Sequence, residues 1–439
     1  MEQKKLKVCL LNDSFPPSID GVANAVVNYA TVIQKSLGEA IVATPSYPGV
    51  EDHYPFPVVR YPSLDTTKLV GYRAGYPFSA RAQSRLVAFG PDVIHSHCPF
   101  VSNMAARTLR EQTEVPIIFT YHTKFDIDIA HALELKLLQS AALRLMLRNI
   151  ESCDEVWTVS RGAGENLRSL GYQGEYLVME NGVDFPRGAA PEAESGALRR
   201  ELGLPADVPV YLFVGRMMWY KGIRVILEAL SRGRKEGAKF RMVLVGDGAE
   251  RREMEETARD LGIGDWCLFT GAVHDRELLR RYYSMADLFL FPSTFDTNGI
   301  VVREAAACGL GSVLIRDSCA AEGIADGRNG FLVEENGESL WALLRGLGRG
   351  QMRQVGENAL RELYLSWEDS VRRAYDRYQV VIDRYRGGHT ERRVEREDDL
   401  FSLMNDLCRG IQRARDLADQ GRRRFKRLAG RPEEEGLDK

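Results

Sequence analysis

The sequence predicts an α/β protein built as two Rossmann-like domains facing across a cleft, with a helical tail at the carboxyl end. Three observations carry that expectation. The chain has 439 residues, more than a single hydrophobic core usually serves before a chain divides. Short β-branched runs alternate with longer segments of helical periodicity, the pattern of parallel βαβ units. The alternation occurs twice, on either side of a segment rich in Pro, Gly, Ala and charge.

The first series places strands over residues 7–12, 93–95, 117–121, 156–159 and 176–179, and helices over 24–34 and 135–150, where apolar residues recur at helical spacing. The connection reads Pro186-Arg-Gly-Ala-Ala-Pro-Glu-Ala-Glu-Ser-Gly196, a composition suited to a surface crossing between domains. The second series has strands over 210–214, 241–245, 266–270, 288–291, 312–315 and 330–333. A final helix from Trp367 sets Val371, Tyr375, Tyr378 and Val381 on one face. After Gly387-Gly388 comes a charged tail with an apolar stripe (Leu400, Leu403, Leu407, Ile411) and a basic cluster over 422–428. The expected divisions are 1–185, a linker over 186–206, a second domain over 207–365, the helix over 366–386, and the tail over 387–439.

Composition narrows the class. The chain is 44% hydrophobic and 28% charged, and its net charge of −3 gives no case for a nucleic-acid partner. Polar Asn12-Asp13 cuts the first apolar run short of a signal-peptide core. No apolar stretch approaches the roughly 20 residues of a spanning helix. Seven scattered cysteines without a C-x-x-C pair argue for reduced thiols rather than a disulfide scaffold or zinc site. A cytoplasmic protein is expected.

Both halves place Gly-containing turns just after a strand, where helix N-termini can meet phosphate. In the first, Phe15-Pro-Pro-Ser-Ile-Asp20-Gly21-Val22 opens the first helix, and Gly21 would let the backbone approach a phosphate or sugar. An ordinary tight turn would read the same way. The turn is no G-x-G-x-x-G fingerprint, which argues against a dinucleotide dehydrogenase.

In the second half, Phe213-Val-Gly215-Arg216 ends a strand and Lys221-Gly222 opens the next helix. Two cations at that spacing suit a diphosphate, Arg as a fork and Lys as a mobile point charge. They would stabilise a leaving group without a metal. A solvated Arg and Lys on a loop would have the same spacing. Next, Phe291-Pro-Ser-Thr-Phe-Asp296-Thr-Asn298-Gly299 leads into a helix carrying Glu304. Carboxylate, amide and open backbone N–H groups suit a polyhydroxylated sugar, and Glu304 could accept from two ribose hydroxyls. A capped helix with an N-terminal acid is the plain alternative.

Histidines also follow strands: His95-Ser-His97, and His122 in Thr120-Tyr-His-Thr123. His122 is the candidate site residue, and His95 and His97 are expected to shape the floor beneath it. Neither group has zinc-like company, so no metal is expected. Asp126-Ile-Asp128 has a spacing that can hold a divalent cation, but it lies outside the second-domain loops. A structural or acceptor-side role is expected for it.

Taken in order, these elements resemble the GT-B-fold glycosyltransferases of family 4, over about residues 6–385. The marks are Asp20-Gly21-Val22, Asp92-Val-Ile-His95-Ser-His97, Thr120-Tyr-His-Thr123 and Asn181-Gly182-Val183-Asp184, then Val214-Gly215-Arg216 with Lys221-Gly222. Val245-Gly-Asp-Gly248, Phe269-Thr-Gly-Ala-Val273 and Tyr282-Tyr-Ser-Met-Ala-Asp287 follow. Within the family, Thr120-Tyr-His-Thr-Lys-Phe125, His97-Cys-Pro-Phe100 and Ser293–Gly299 are most similar to diacylglycerol glucosyltransferases and related lipid mannosyltransferases.

The resemblance implies a retaining transferase that moves a hexose, glucose favoured, from a nucleotide-diphosphate sugar to an acceptor hydroxyl. The nucleotide sugar is then a co-substrate, with no separate cofactor and no metal. The first domain is implied to be the acceptor side and the second the donor side, with the final helix crossing back onto the first. Arg216 and Lys221, beside Gly215, would hold the diphosphate and Glu304 the ribose. Asp296 with the Asn298–Gly299 backbone would hold the transferred sugar. Gly21 would meet phosphate or acceptor, His122 the sugar from the opposite domain, and backbone near Val273 the base. The family's donor signature has glutamates at both ends; here Asp296 takes the first place, reaching about 1.5 Å less far.

The implied acceptor is diacylglycerol or another glycolipid precursor at the inner face of a membrane. Residues 136–150 carry three cations and no acid, a surface suited to anionic lipid, as is the basic cluster of the tail. A core helix and a self-associating tail are the plain alternatives. Rival functions are a GDP-mannose-dependent mannosyltransferase, a transferase for a soluble glycan or metabolite, a nucleotide-sugar 2-epimerase, and a degenerate, non-catalytic nucleotide-sugar-binding subunit.

Overall fold

The computed structural model describes residues 5–18, 20–66, 73–123, 125, 136–296 and 299–389. The first sheet contains β1 (Lys7–Leu11), β2 (Glu39–Pro45), β3 (Val58–Tyr61), β6 (Val93–Ser96), β7 (Ile117–Tyr121), β8 (Glu155–Thr158) and β9 (Leu177–Val178). Its order is β3-β2-β1-β6-β7-β8-β9, parallel throughout. A small antiparallel pair, β4 (Ser63–Leu64) and β5 (Ala74–Gly75), stands beside it. The second sheet contains β10 (Val210–Val214), β11 (Arg241–Val245), β12 (Cys267–Gly271), β13 (Leu288–Phe291), β14 (Ser312–Ile315) and β15 (Phe331–Val333). Its order is β12-β11-β10-β13-β14-β15, again parallel. Central strands such as Val-Tyr-Leu-Phe-Val in β10 are buried along their whole length, as parallel strands covered on both faces must be.

The first domain carries α1 (Gly21–Val32), α2 (Ala80–Phe89), α3 (Val101–Thr113), α4 (Lys136–Glu151) and α5 (Arg161–Ser169). The second carries α6 (Glu192–Glu201), α7 (Ile223–Lys235), α8 (Arg251–Asp260), α9 (Arg276–Met285), α10 (Ile300–Ala307), α11 (Gly337–Leu344) and α12 (Arg349–Glu362). The final helix is α13 (Trp367–Arg386).

Strands β2 and β3 have no counterpart in the sequence-based expectation. Helix α1 runs on through a π-helical turn over Ile33–Leu37, and the single residue Gly38 separates it from β2, a strand containing two alanines and a proline. The segment expected as a linker is also more than an irregular connection. It folds α6 against α9, where Arg281 Nε meets Glu194 Oε2 at 2.8 Å. Asp126, Asp128, the tail from residue 390 and Asn298 lie outside the described residues.

Two crossings join the domains, and they touch. Val183 N donates to Leu365 O at 3.0 Å, and Val183 bridges Ser366 in parallel. A Cβ on Gly182 would stand 2.4 Å from Trp367 N and 2.5 Å from its Cα. This close approach explains the glycine of Asn181-Gly-Val-Asp184. Beyond it α13 returns to the first domain and buries Trp367, Val371 and Tyr378 with Leu6, Val8 and Tyr29. Tyr375 OH accepts from Leu6 N at 2.6 Å and donates to Leu37 O at 3.0 Å.

In each sheet the strand order reverses direction once, between β1 and β6 and between β10 and β13. Open parallel sheets bind ligands outside the carboxyl ends of strands at such switch points.

Candidate active site

The second-domain switch point holds the cations. The chain leaves β10 at Val214, turns through Gly215 and Arg216, and forms a single 3₁₀ turn over Trp219–Lys221. Glu250 Oε2 accepts from Trp219 N at 2.6 Å and Asp247 O from Met217 N at 3.0 Å, fixing that turn. Gly222 follows at φ +77°, where a Cβ would stand 1.9 Å from Pro292 O. Only glycine permits both the conformation and the approach. The loop after β10 is thus pressed onto the loop after β13.

That contact delivers Lys221 to Asp296. Lys221 is 7% exposed, and its Nζ donates to Asp296 Oδ1 at 2.6 Å. Asp296 Oδ2 accepts from Ser293 Oγ at 2.6 Å. A lysine so far from water needs such a partner. Arg216 remains exposed, its guanidinium 5.9 Å from the Tyr220 ring centroid, with Lys221 Nζ 5.6 Å from the same centroid. Tyr220 packs on Phe295 at 4.6 Å between centroids. The predicted cations and the predicted acid are therefore one cluster with an aromatic wall.

Glu304 is held apart from them. It lies in α10, which starts after Gly299 in the left-handed region at φ +51°. Arg276 Nη2 donates to Glu304 Oε1 at 2.6 Å and Tyr283 OH to Oε2 at 2.9 Å. Burial raises the carboxyl above its usual range, and Arg276 followed by Tyr283 opposes the rise. Val273 stands half-buried just past the edge strand β12.

In the first domain His122 follows β7 and meets His97, Nε2 to Nδ1, at 2.9 Å. His95 is held between Tyr378 OH on α13 and Thr120 Oγ1, both at 2.7 Å. Burial lowers His122 to about 3 and takes His95 and His97 well below their usual value. All three are neutral imidazoles near pH 7, so His122 can address a sugar hydroxyl but brings no charge. Gly21 opens α1 in open space, where a Cβ would meet nothing within 4 Å. Asp20, however, caps that helix, accepting from Val22 N at 2.8 Å and Ala23 N at 2.7 Å. An anion arriving there meets amides already engaged by a carboxylate.

The two domains also meet directly. Glu322 accepts from Arg161 N at 2.7 Å and from Gly162 N, at the start of α5. Arg303 of α10 pairs with Glu180. Sequence reasoning missed Glu322, Arg276, Tyr283, Ser293 and Asp184. Tyr283 was visible inside an ordered motif, whereas Arg276, next to the N-cap Asp275, reads from sequence only as a charged residue at a helix start.

Comparison with known proteins bears on this geometry. Residues 19–187 match the family model described as Glycosyltransferase Family 4, and residues 194–358 the one described as Glycosyl transferases group 1. An alpha-monoglucosyldiacylglycerol synthase of Streptococcus pneumoniae is 24% identical over 308 residues, 69% of this chain and 70% of the relative. D-inositol 3-phosphate glycosyltransferase 2 of Catenulispora acidiphila is 30% identical over 309 residues, 66% of this chain and 71% of the relative. Among solved structures, sucrose-phosphate synthase of Thermosynechococcus elongatus superposes with a TM-score of 0.70 at 22% identity, covering 86% of this chain and all (100%) of that one.

Proposed function

This chain belongs to the family 4 glycosyltransferases of the GT-B fold, and from that premise we propose that it moves a hexose, glucose first among candidates, from a nucleotide-diphosphate sugar to an acceptor hydroxyl with retention of anomeric configuration. One observation carries the reading. Lys221, paired with Asp296 at 2.6 Å, and the exposed Arg216 stand together at the carboxyl ends of β10 and β13, where a leaving diphosphate needs positive charge.

In this reading Arg216 forks onto the diphosphate and Lys221 follows it as charge develops. Glu304 accepts from the ribose hydroxyls. Asp296 and the backbone at Gly299 address the transferred sugar, and His122 addresses it from the first domain as a neutral imidazole. The bond from the anomeric carbon to the phosphate oxygen breaks as the acceptor oxygen bonds on the same face. The acceptor proton passes to the departing phosphate oxygen. The cations on the leaving group do the work that a divalent ion would otherwise do, so chelator should leave the rate unchanged.

For the acceptor, the name of the Streptococcus pneumoniae relative, a synthase of monoglucosyldiacylglycerol, supports diacylglycerol or a similar lipid. Helix α4 supports work at a membrane face. Met146 and Ile150 are buried in the core, while Lys136, Arg144 and Leu145 are exposed on the outside. Among the described residues no helix is long and apolar enough to cross a membrane. The name of the Catenulispora acidiphila relative supports a second reading, a soluble phosphorylated polyol as acceptor.

The test offers UDP-glucose, UDP-galactose and GDP-mannose with a lipid extract and, separately, with soluble polyol phosphates, following nucleotide release and the anomeric configuration of the product. Turnover with lipid supports the first reading, and turnover with polyol phosphates alone supports the second. Inversion, or no turnover of any donor, overturns the proposal. Liposome binding unchanged in a variant with Lys136, Arg144 and Arg148 all replaced by Glu would remove α4 from the membrane reading.

A further inference from the structure

Glu304 is a costly place to keep a negative charge. It is 6% exposed, and a carboxylate taken out of water reverts to the neutral acid unless partners hold it ionised. Two groups from α9 do so, Arg276 Nη2 on Oε1 at 2.6 Å and Tyr283 OH on Oε2 at 2.9 Å. Because each oxygen has its own donor, the plane of the carboxylate is fixed as well as its position. Each oxygen keeps further lone-pair capacity, so the pair can still accept from a vicinal diol.

Arg276 is itself seated by other groups. Its guanidinium lies 4.4 Å from the ring centroid of Phe185 and 3.7 Å from Asp184 Oδ2. Those two residues follow the crossing at Val183, and Asn24 of α1 reaches Asp184 at 3.4 Å. A planar, permanently charged fork suits this double duty of stacking and ion pairing better than an ammonium does.

We propose that Arg276 is a positioning residue of the donor site, its guanidinium holding the Glu304 carboxylate in the orientation from which it accepts the ribose hydroxyls and tying that carboxylate to the Asp184–Phe185 crossing between the domains. This rests on the reading of Glu304 as the ribose acceptor. Arg276 acts through Glu304, not on the reacting atoms. The groups facing Glu304 are Arg276 and Tyr283 from α9, Asp184 from the crossing, and Cys308 at the end of α10. Arg276 is the cation of that set. Without it, burial and Asp184 both favour the protonated acid, which offers fewer acceptor sites.

The experiment compares wild type, Arg276→Gln, Arg276→Lys and Glu304→Gln. Donor KM and kcat are measured from neutral to mildly acidic pH, the direction in which a buried carboxyl gains its proton. Binding of the nucleoside diphosphate released by the active donor is compared with that of its 2′-deoxy form. Arg276→Gln is expected to raise donor KM about tenfold, the scale of a lost charged hydrogen bond, with kcat little changed. Its KM should climb further as pH falls, and its preference for the ribo over the deoxy nucleotide should shrink. Arg276→Lys should recover part of the KM and flatten its pH dependence. If Glu304→Gln abolishes the ribo preference while Arg276→Gln retains both that preference and the wild-type KM, the positioning role is wrong and the ribose reading stands. If Glu304→Gln leaves nucleotide binding and the ribo preference intact, the ribose reading itself fails. Tighter nucleotide binding by Arg276→Gln would show that Arg276 competes with ribose, and would also overturn the proposal.

Discussion

The ammonium of Lys221 lies 2.6 Å from Oδ1 of Asp296, and the opposite oxygen of that carboxylate is taken by Ser293 Oγ. A glutamate, one methylene longer, would carry its carboxylate past this pairing unless the loop moved. The aspartate thus sets where the lysine waits before a diphosphate arrives. Lys221→Ala should lower kcat by about 100-fold under donor saturation, the scale of one lost transition-state donor. Asp296→Asn should also lower kcat, and it should lower stability because the buried Lys221 ammonium loses its carboxylate partner. Steady-state kinetics with a saturating donor decides it, and a Lys221→Ala variant of normal kcat would remove the lysine from the leaving-group role.

Glu322 couples the domains through backbone. Its carboxylate takes the N–H groups of Arg161 and Gly162 at the positive end of α5, an arrangement worth about 0.3–1 kcal/mol at a helix N-terminus. Arg303 with Glu180 is a second tie between the domains. The double variant Glu322→Ala with Glu180→Ala should populate more open arrangements in the absence of substrate. Small-angle scattering should then show a larger radius of gyration, reduced again by saturating donor. An unchanged radius would mean that other contacts set the closure.

Gly182→Ala should be destabilising at a position with no ligand role. Its Cβ would fall 2.4 Å from Trp367 N, and the obstacle is backbone, which cannot rotate away. Overpacking of this kind costs about 1–3 kcal/mol, read as a drop in thermal midpoint. A midpoint equal to wild type would show that the crossings can separate freely.

The three buried histidines give stability a definite pH dependence. In the folded protein His122 is lowered to about 3 by burial, and His95 and His97 also lie well below the usual value. An unfolded histidine titrates near pH ~6.5. As pH falls below that value the unfolded chain takes up protons that the folded one refuses, so stability present above it is lost. Between pH ~6.5 and ~5 each histidine should contribute a loss of about 1–2 kcal/mol, measured by urea unfolding. His97→Asn should make the fall shallower, and a flat profile in wild type would contradict the assignment.

That Arg216, Lys221 and Asp296 come close together was largely legible in the sequence, because each lies just after β10 or β13, whereas Glu304 sits further on, in α10. Strand ends follow from local apolar runs and glycine turns, and the switch point between parallel strands brings such ends together. Strand β2 was not legible, since α1 continues through a π-helical turn to within one residue of an alanine-containing strand. The capping of α1 by Asp20 was hidden too. The same Asp-Gly that suggests a phosphate turn can satisfy its own helix.

By itself the sequence determined the two-domain α/β architecture and the types of residue that follow its strands, because periodicity and turn chemistry act over a few neighbouring residues. Only the tertiary structure decided which partners those residues have. It set Lys221 on Asp296, Arg276 on Glu304, His97 on His122, and Tyr378 on His95 across 283 positions of chain. A buried charge or imidazole takes whatever donor or acceptor the packing of distant elements brings within about 3 Å, and no local pattern records that choice.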